Sequence, residues 1–574
     1  MIKTLPIEAI RTSLQCRQWL NRTRVCRSSS SLSLNPTMHS FRLRSVVLIL
    51  SALLLTLPIL ALMGSWLEWN AASAQVLSEL GQTVLPEYIL TSLLLCVGVA
   101  IGVTVLGLST AAAVTLFKFP GQAFFEWALL LPMAMPAYVV AYAYTDFLQF
   151  SGPLQNFIRA TWSLEGRVLP EIRSIGGAVL VFSLTLYPYV YLLARTALSE
   201  RASHLMEAAR TLGAPLSRRI TEIAIPLARP AVAAGVALAL METLADYGVS
   251  SYFGIQTFTA GVYKAWLIMD NRIAAAQLAT LLLFAVMALL HLEKLAQARV
   301  RFTSSQGNPS SSIESNLTAL SAPKAMALTG GCSLLILLGF VLPVFLMLKP
   351  LFDSETLIPW GRFWEWSFNS LLLGFITAIL AVAFSLFIAF SLRNKPDALT
   401  RMIAQWVGLG YAIPGAVVVV GLLLPVTWLQ IQWPESQVGY WITASVLGVV
   451  WAYLVRFCAV ALQSIQSGYA RIPTSLDDSA LTLGVSGMRL LQRVHAPLLK
   501  RSVLAAALLV FVDVMKELPA TLVLRPFNTD TLAVVAFQLA RDERLGEAAL
   551  PSLALVLVGL LPVLLLSRAM RQKN

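Results

Sequence analysis

Apolar residues along this chain fall in runs of about twenty, the length a helix needs to cross a hydrocarbon core ~30 Å thick. Short polar stretches separate the runs, and twelve spanning helices are predicted. They lie near residues 46–66, 89–117, 124–148, 175–198, 230–250, 273–296, 325–349, 367–392, 402–425, 440–463, 501–523 and 547–567. One stretch between runs, Gln297 to Lys324, is long, Ser-rich and polar, and has the composition of a linker. It divides the chain into a basic tail at 1–45, a first six-span half at 46–296, the linker at 297–324 and a second half at 325–574. Residues 1–37 are expected to be a dispensable tail, a stretch that is not translated, or a disordered cytoplasmic arm. They have no apolar core of the kind found in a cleavable signal peptide.

Composition supports an integral membrane protein. Charged residues make up 12% of the 574 and hydrophobic residues 57%, with a mean hydropathy of +0.74. A soluble chain carries about twice that charged fraction. The net charge of +13 does not point to nucleic acid, because of where the basic residues sit. They crowd the tail (Arg22, Arg24, Arg27, Arg42, Arg44), the segment 195–229, the linker and the C-terminus. The loop at 67–88 has Glu68, Glu79 and Glu87 and no Lys or Arg. The positive-inside rule then places both termini, the linker and the 195–229 segment in the cytoplasm. The five cysteines form no C-x-x-C pair and the four histidines are scattered, so neither a disulfide framework nor a stable metal site is expected.

One pattern occurs twice. Glu207-Ala208-Ala209, Gly213, Ile223, Ile225 and Pro226 recur as Asp478-Ser479-Ala480, Gly484, Val494, Ala496 and Pro497, each 271 positions on. In the first copy, Ser203 to Leu212 is predicted to be a short helix. Gly213 ends it by adopting a positive φ, and Ala214-Pro215 starts a second helix that Pro226 ends. Each copy is thus read as a helix-turn-helix on the membrane surface. The halves also match at Thr91-Ser92-Leu93-Leu94 with Asn369-Ser370-Leu371-Leu372, and at Met135-Pro136-Ala137 with Ile413-Pro414-Gly415, both 278 apart. Halves that each begin and end inside are parallel repeats about an axis along the membrane normal.

Acidic residues occur inside the apolar runs. Glu242 and Asp246 are four apart, as are Asp513 and Glu517, again at an offset of 271. A carboxylate at the centre of a span costs ~2.5–3.5 kcal/mol, so these four are read as facing a polar path or one another. Lys516 beside them would weaken cation binding and help release. The alternative is helix capping or interhelical pairing. Tyr138, Tyr142, Tyr144, Tyr187, Tyr189 and Tyr191 crowd the same region and are read chiefly as packing or interfacial belts, with a phenol ligand for a cation as the alternative.

The doubled pattern resembles E-A-A-x3-G-x9-I-x-L-P, the cytoplasmic loop of permease subunits in binding-protein-dependent ABC importers. The first copy fits with Ile225 in place of Leu; the second has Asp478, Ser479, Val494 and Ala496 at variant positions. Ala245-Asp246-Tyr247-Gly248, Tyr252-Phe253-Gly254 and Met515-Lys516-Glu517-Leu518-Pro519-Ala520-Thr521-Leu522 are similar to the ferric iron permeases of that superfamily, which fuse two halves in one chain. Thiamine and phosphonate-type permeases share the plan. The resemblance implies an all-α inner-membrane protein of the type I importer permease fold. It also implies two copies of a separate ABC ATPase that uses ATP and Mg, one per loop, and a periplasmic binding protein. The chain contains no G-x-x-x-x-G-K-[ST] phosphate loop, so it is expected to be no enzyme and to hold no cofactor. A major-facilitator-type transporter also has six plus six spans, but Phe117-Lys118-Phe119-Pro120-Gly121 lacks that family's Gly- and Arg-rich loop.

Overall fold

The computed structural model describes residues 36–67, 71–199, 203–302, 318–352, 360–394 and 396–571. The tail up to residue 35 and the linker residues 303–317 lie outside them. The chain divides into residues 1–50 and residues 51–574. The described part of the first is the opening of the helix Pro36–Gly64. Among the described residues the regular structure is helical apart from a two-residue parallel pair, in which Phe117 and Lys118 face Thr318 and Ala319.

Among the described residues ten helices are long and apolar enough to cross a membrane, or eleven if one bent pair counts as a span. The twelve predicted runs differ from this for a physical reason at each place. The run at 124–148 is broken. Leu131–Ala134 forms a tight turn, Met135-Pro136 is extended, and the helices on either side are bent by 87°. The run at 402–425 breaks in the same way. A tight turn at Gly410–Ala412 is followed by extended Ile413-Pro414 and the helix Gly415–Gln432. A proline disfavours helical backbone in the residue before it, and here that residue is Met135 or Ile413. The run at 501–523 lies mostly in the helix Ala496–Lys516, whose Lys500, Arg501, Asp513 and Lys516 are too many charges for an apolar span.

Two helix triplets form the body. In the first, α1 (Leu85–Leu116), α2 (Ile175–Ala197) and α4 (Ile225–Ala245) pack together, with α3 (Ser203–Thr211) in the connection before α4. In the second, α5 (Trp360–Asn394), α6 (Val446–Tyr469) and α8 (Ala496–Lys516) do the same, with α7 (Thr474–Thr482) before α8. The corresponding serines do corresponding work. Ser92 Oγ accepts from the Phe258 backbone N–H at 3.3 Å, and Ser370 Oγ accepts from the Leu532 N–H at 2.8 Å. The halves interlock: Arg272–Phe302 packs on Gly415–Gln432, and Leu545–Arg571 packs on the turn Leu131–Ala134.

Close helix approach depends on small residues, since packing rather than water exclusion drives association in lipid. A Cβ on Gly235 would sit 2.7 Å from the Val190 Cα and 3.1 Å from the Tyr189 carbonyl oxygen, both backbone atoms of α2. Backbone cannot yield as a side chain can. Gly235→Ala is therefore expected to cost about 1–3 kcal/mol, read as a lower midpoint of thermal unfolding in detergent. Gly330→Ala, in a helix where an added Cβ meets nothing within 4 Å, should leave that midpoint unchanged or raise it slightly.

Candidate functional site

The doubled pattern folds into the same local structure twice. α3 ends at Gly213, whose φ is +80°, and α7 ends at Gly484, with φ +77°. Behind each glycine the orphan carbonyls are taken up in the same way. Gly213 N–H donates to Arg210 O and Ala214 N–H to Ala209 O; Gly484 N–H donates to Leu481 O and Val485 N–H to Ala480 O. This is the two-bond Schellman closure, which needs a left-handed residue at the turn. Of the pattern's polar heads, Glu207 is half-buried, and Asp478 and Ser479 are exposed. Ala208 is exposed, Ala209 half-buried and Ala480 buried.

The prolines act differently from the expectation. Pro226 does not end the second helix: Leu216 to Ala245 runs on as one span. A wide turn at Ile220–Ala224 precedes Pro226, and another at Leu491–His495 precedes Pro497. A proline lacks an N–H and its ring crowds the carbonyl four residues back. Widening the turn by one residue relieves both faults, so the helix continues. Ile223, Ile225, Val494 and Ala496 are half-buried along these turns.

Two leucines that sequence reasoning did not single out complete the loops. Leu212 is 86% exposed and Leu483 is 83% exposed, each just before its glycine. Leu205 and Leu476, again a matching pair, are also exposed. All four lie outside the helices apolar enough to span a membrane. The signal was present in the alignment of the copies, as an apolar residue repeated at a position a helix end normally leaves polar.

The buried acids are sorted by the same symmetry. α4 ends at Ala245 and α8 at Lys516, so Asp246 and Glu517 sit just past the helix ends in extended backbone. Each caps the short helix that follows. Asp246 Oδ1 accepts from Val249 N–H at 2.9 Å and Ser250 N–H at 3.3 Å. Glu517 accepts from Ala520 N–H at 2.9 Å and Thr521 N–H at 3.0 Å. Glu517 is buried and also takes Arg456 Nη1 at 3.0 Å and the Thr521 hydroxyl at 2.7 Å, so both its oxygens are occupied. Asp246 is only half-buried.

Glu242 and Asp513 stay on their helices and face a shared centre. Asp513 lies within electrostatic reach of Lys516, Glu242 and Arg456. Lys516 also donates to the Met133 carbonyl at 3.3 Å. A cavity is lined by Glu242, Tyr189, Tyr411 and Arg456 with Leu238 and Met241. The Tyr411 hydroxyl is within reach of Glu242, and Tyr189 within reach of Tyr411. The other tyrosines divide. Tyr144, Tyr187 and Tyr191 donate to the carbonyls of Leu338, Leu129 and Glu126 and act as fasteners. Tyr138 and Tyr142 are buried with hydroxyls that find no partner. The centre thus offers carboxylate and phenol oxygens beside two fixed cations. Such a set suits brief contact with a hard cation more than tight retention. Among the described residues no three His, Cys, Asp or Glu are grouped to hold a metal ion.

Comparison with known proteins bears on what these elements belong to. Residues 104–301 match the family model described as "Binding-protein-dependent transport system inner membrane component". The match takes in the first loop, Glu242 and Asp246. Over most of its length the chain is similar to the Fe(3+)-transport system permease protein FbpB 2 of Haemophilus influenzae, at 25% identity over 84% of this chain and 90% of that protein. It is also similar to the ferric transport system permease protein FbpB of Actinobacillus pleuropneumoniae, at 23% identity over 82% of this chain and 69% of that protein. A third relative, the putative 2-aminoethylphosphonate transport system permease protein PhnV of Salmonella typhimurium, is 28% identical over 36% of this chain and 75% of its own length.

The capping geometry separates the acids experimentally. Removing the charge of Glu517 strips Arg456 of a buried partner, and breaking such a pair costs about 3–5 kcal/mol. Glu517→Gln should therefore lower the thermal midpoint and the yield of folded protein. Glu242→Gln keeps size and hydrogen bonding to Tyr411, and its stability should stay within about 1 kcal/mol of the parent. Thermal unfolding of the two purified variants side by side checks this.

Proposed function

We propose that this chain is the transmembrane permease subunit of an ABC importer that carries ferric iron across the bacterial inner membrane. Alternating access is driven by separate ATPase subunits. The observation that carries the reading is the pair of loops. Each presents an exposed leucine on the same glycine-closed turn, 271 residues apart. Exposed apolar residues at a repeated, rigid position suit seating in a partner's groove. The family match and the relatives that carry ferric iron in their names support the transport class and the cargo. Two loops of one shape call for two copies of one ATPase. Substrate reaches the opposite face from a periplasmic binding protein.

In this reading the chain consists of two parallel six-helix halves, 46–296 and 325–574, joined by the cytoplasmic linker 297–324 in the type I importer fold. Both termini are cytoplasmic and lipid surrounds the bundle. Residues 1–45 form a basic cytoplasmic tail. Glu207, Ala208, Ala209, Gly213, Ile223, Ile225 and Pro226 form one coupling loop. Asp478, Ser479, Ala480, Gly484, Val494, Ala496 and Pro497 form the other. Glu242, Asp246, Asp513 and Lys516 line the path, with Glu517 fixing its wall. The chain binds no cofactor; ATP and Mg belong to the partner. A phosphonate cargo is the second reading, favoured by the similarity to PhnV over 36% of this chain.

Reconstitution with its ATPase and binding protein in proteoliposomes tests the reading. ATP-dependent uptake of Fe(III), with two ATPase subunits per chain, is the expected result. Uptake of 2-aminoethylphosphonate without iron would move the cargo to the second reading. Glu242→Gln combined with Asp513→Asn should abolish uptake per folded molecule while ATPase assembly survives. Full uptake by that double variant would leave the two acids as packing groups.

The turns give a separate check. An added side chain on Gly213 or Gly484 meets nothing within 4 Å, so the cost is backbone strain alone, roughly 1–2 kcal/mol. Gly213→Val and Gly484→Val should insert normally yet lose uptake, because the leucine beside each glycine is re-aimed. Normal uptake in both would reduce the loops to surface anchors.

A further inference from the structure

The two loops are alike in outline but are fastened to the body by different chemistry. In the second half four elements meet at one junction. Arg393, in the last turn of α5, donates from Nε to Asp477 Oδ2 of α7 at 2.7 Å and from Nη2 to the Ile472 carbonyl at 2.9 Å. Asp477 Oδ1 lies 2.9 Å from His495 Nε2, at the wide turn before α8. His495 Nδ1 lies 3.2 Å from the hydroxyl of Tyr469, the last residue of α6. One arrangement satisfies every group. Tyr469 donates to Nδ1, the neutral ring donates from Nε2 to Asp477, and Asp477 is balanced by Arg393. The His495 ring is fully buried, and the Asp477 and Arg393 side chains are under one-fifth exposed. Burial pushes the Asp477 carboxyl up, but Arg393 and His495 outweigh it and hold the group below its ordinary value.

At the four corresponding positions of the first half, all among the described residues, none of these groups occurs. At an offset of 271, Tyr469, Asp477 and His495 correspond to Leu198, Met206 and Ala224, all buried. At the 278 offset that aligns the second helices of the halves, Arg393 corresponds to Thr115, whose hydroxyl bonds its own helix at Ala111. At these four positions one half is ionic and directional, and the other is apolar except for Thr115. An apolar contact is non-directional and tolerates small sliding. Charged hydrogen bonds out of bulk water fix angle and distance, and losing one costs its full desolvation.

We propose that the ionic junction makes the second loop the stiff arm of the pair, and that Asp477 is the positioning residue that holds it. The apolar junction leaves the first loop compliant. The two identical ATPase subunits would then act on unequal levers: closure at the second loop is passed directly to α5, α6 and α8, and the first loop follows. This rests on the reading that the loops seat ATPase subunits, but the stiffness difference belongs to the chain alone.

The test therefore begins without any partner. In the purified full chain, backbone amides of residues 474–487 should exchange with deuterium about tenfold or more slowly than those of 203–216, the factor a buried charged hydrogen bond supplies. Equal or reversed exchange overturns the proposal whatever the protein transports. Asp477→Asn should erase that difference and leave 203–216 unchanged. In proteoliposomes with the ATPase and binding protein, the same variant should still bind two ATPase subunits and hydrolyse ATP. Its Fe(III) uptake per ATP should fall about tenfold, within the usual range of a coupling between sites. Met206→Ala in the first loop should lower that ratio less. Should Asp477→Asn fail to fold, the variant carrying Arg393→Thr, Tyr469→Leu, Asp477→Met and His495→Ala copies the apolar junction and serves in its place. An unchanged uptake per ATP in a folded junction variant, or an equal loss in Met206→Ala, overturns the stiff-arm assignment. Failure of the parent chain to take up iron at all would sink the transport reading instead and leave the exchange result standing.

Discussion

Backbone amides within hydrocarbon must be satisfied by the protein itself, because no water is there to take them. That constraint governs the places where the described helices break inside apolar runs. The breaks at Pro136 and Pro414 fall where tight turns close the preceding segment and the next helix starts with the proline already extended. Those at Asp246 and Glu517 need more, since a new helix begins at once and exposes its first N–H groups. A carboxylate placed three and four residues ahead of those groups satisfies them and complements the positive end of the new helix. An acid in an apolar run is thus explained half by capping before any transport role is invoked.

That division separates the four acids into two kinds with one symmetry. Asp246 and Glu517 hold broken helices in place, and Glu517 is further tied down by Arg456. Glu242 and Asp513 have no such backbone duty. They sit one turn earlier, facing Lys516 and the Tyr189–Tyr411 pair, at the junction of the two triplets. The capped breaks make the wall rigid, and the uncapped acids supply the chemistry within it. Counting all four as equal would overstate the negative charge that faces the shared centre.

Much of this was legible in the sequence, and the misses have particular causes. Gly213 and Gly484 announced their turns because only a residue without Cβ takes a positive φ at no cost. The offset of 271 located matching helices, matching breaks and matching acids. Pro226 was misread as a terminator because a proline's fault can be absorbed by one widened turn, and hydropathy carries no trace of that turn. The runs at 124–148 and 402–425 read as straight spans because apolar composition is the same on both sides of a bend. Asp477 went unnoticed beside Asp478, which aligns with Glu207. Its importance depends on Arg393, 84 residues away, and on a histidine ring that sequence alone leaves scattered.

The junction at Asp477 also bears on how a duplicated protein diverges. In an assembly of two identical chains, any change in one loop appears in both. Fusion in one chain removes that tie, and each copy can then fit its own surroundings. The first loop has the Glu-Ala-Ala head and buried apolar residues at Leu198, Met206 and Ala224. The second has Asp478-Ser479-Ala480 in place of that head, and Tyr469, Asp477 and His495 with Arg393 beneath it. The copy that departs from the pattern at its exposed face is thus the one fixed most firmly at its buried face. A loop held rigidly in place can present its leucine correctly with fewer contacts from the rest of its surface. The compliant loop needs the fuller set. Weak matching of the second copy to the pattern and its ionic fastening then go together, each loop being fitted to its own surroundings within one chain.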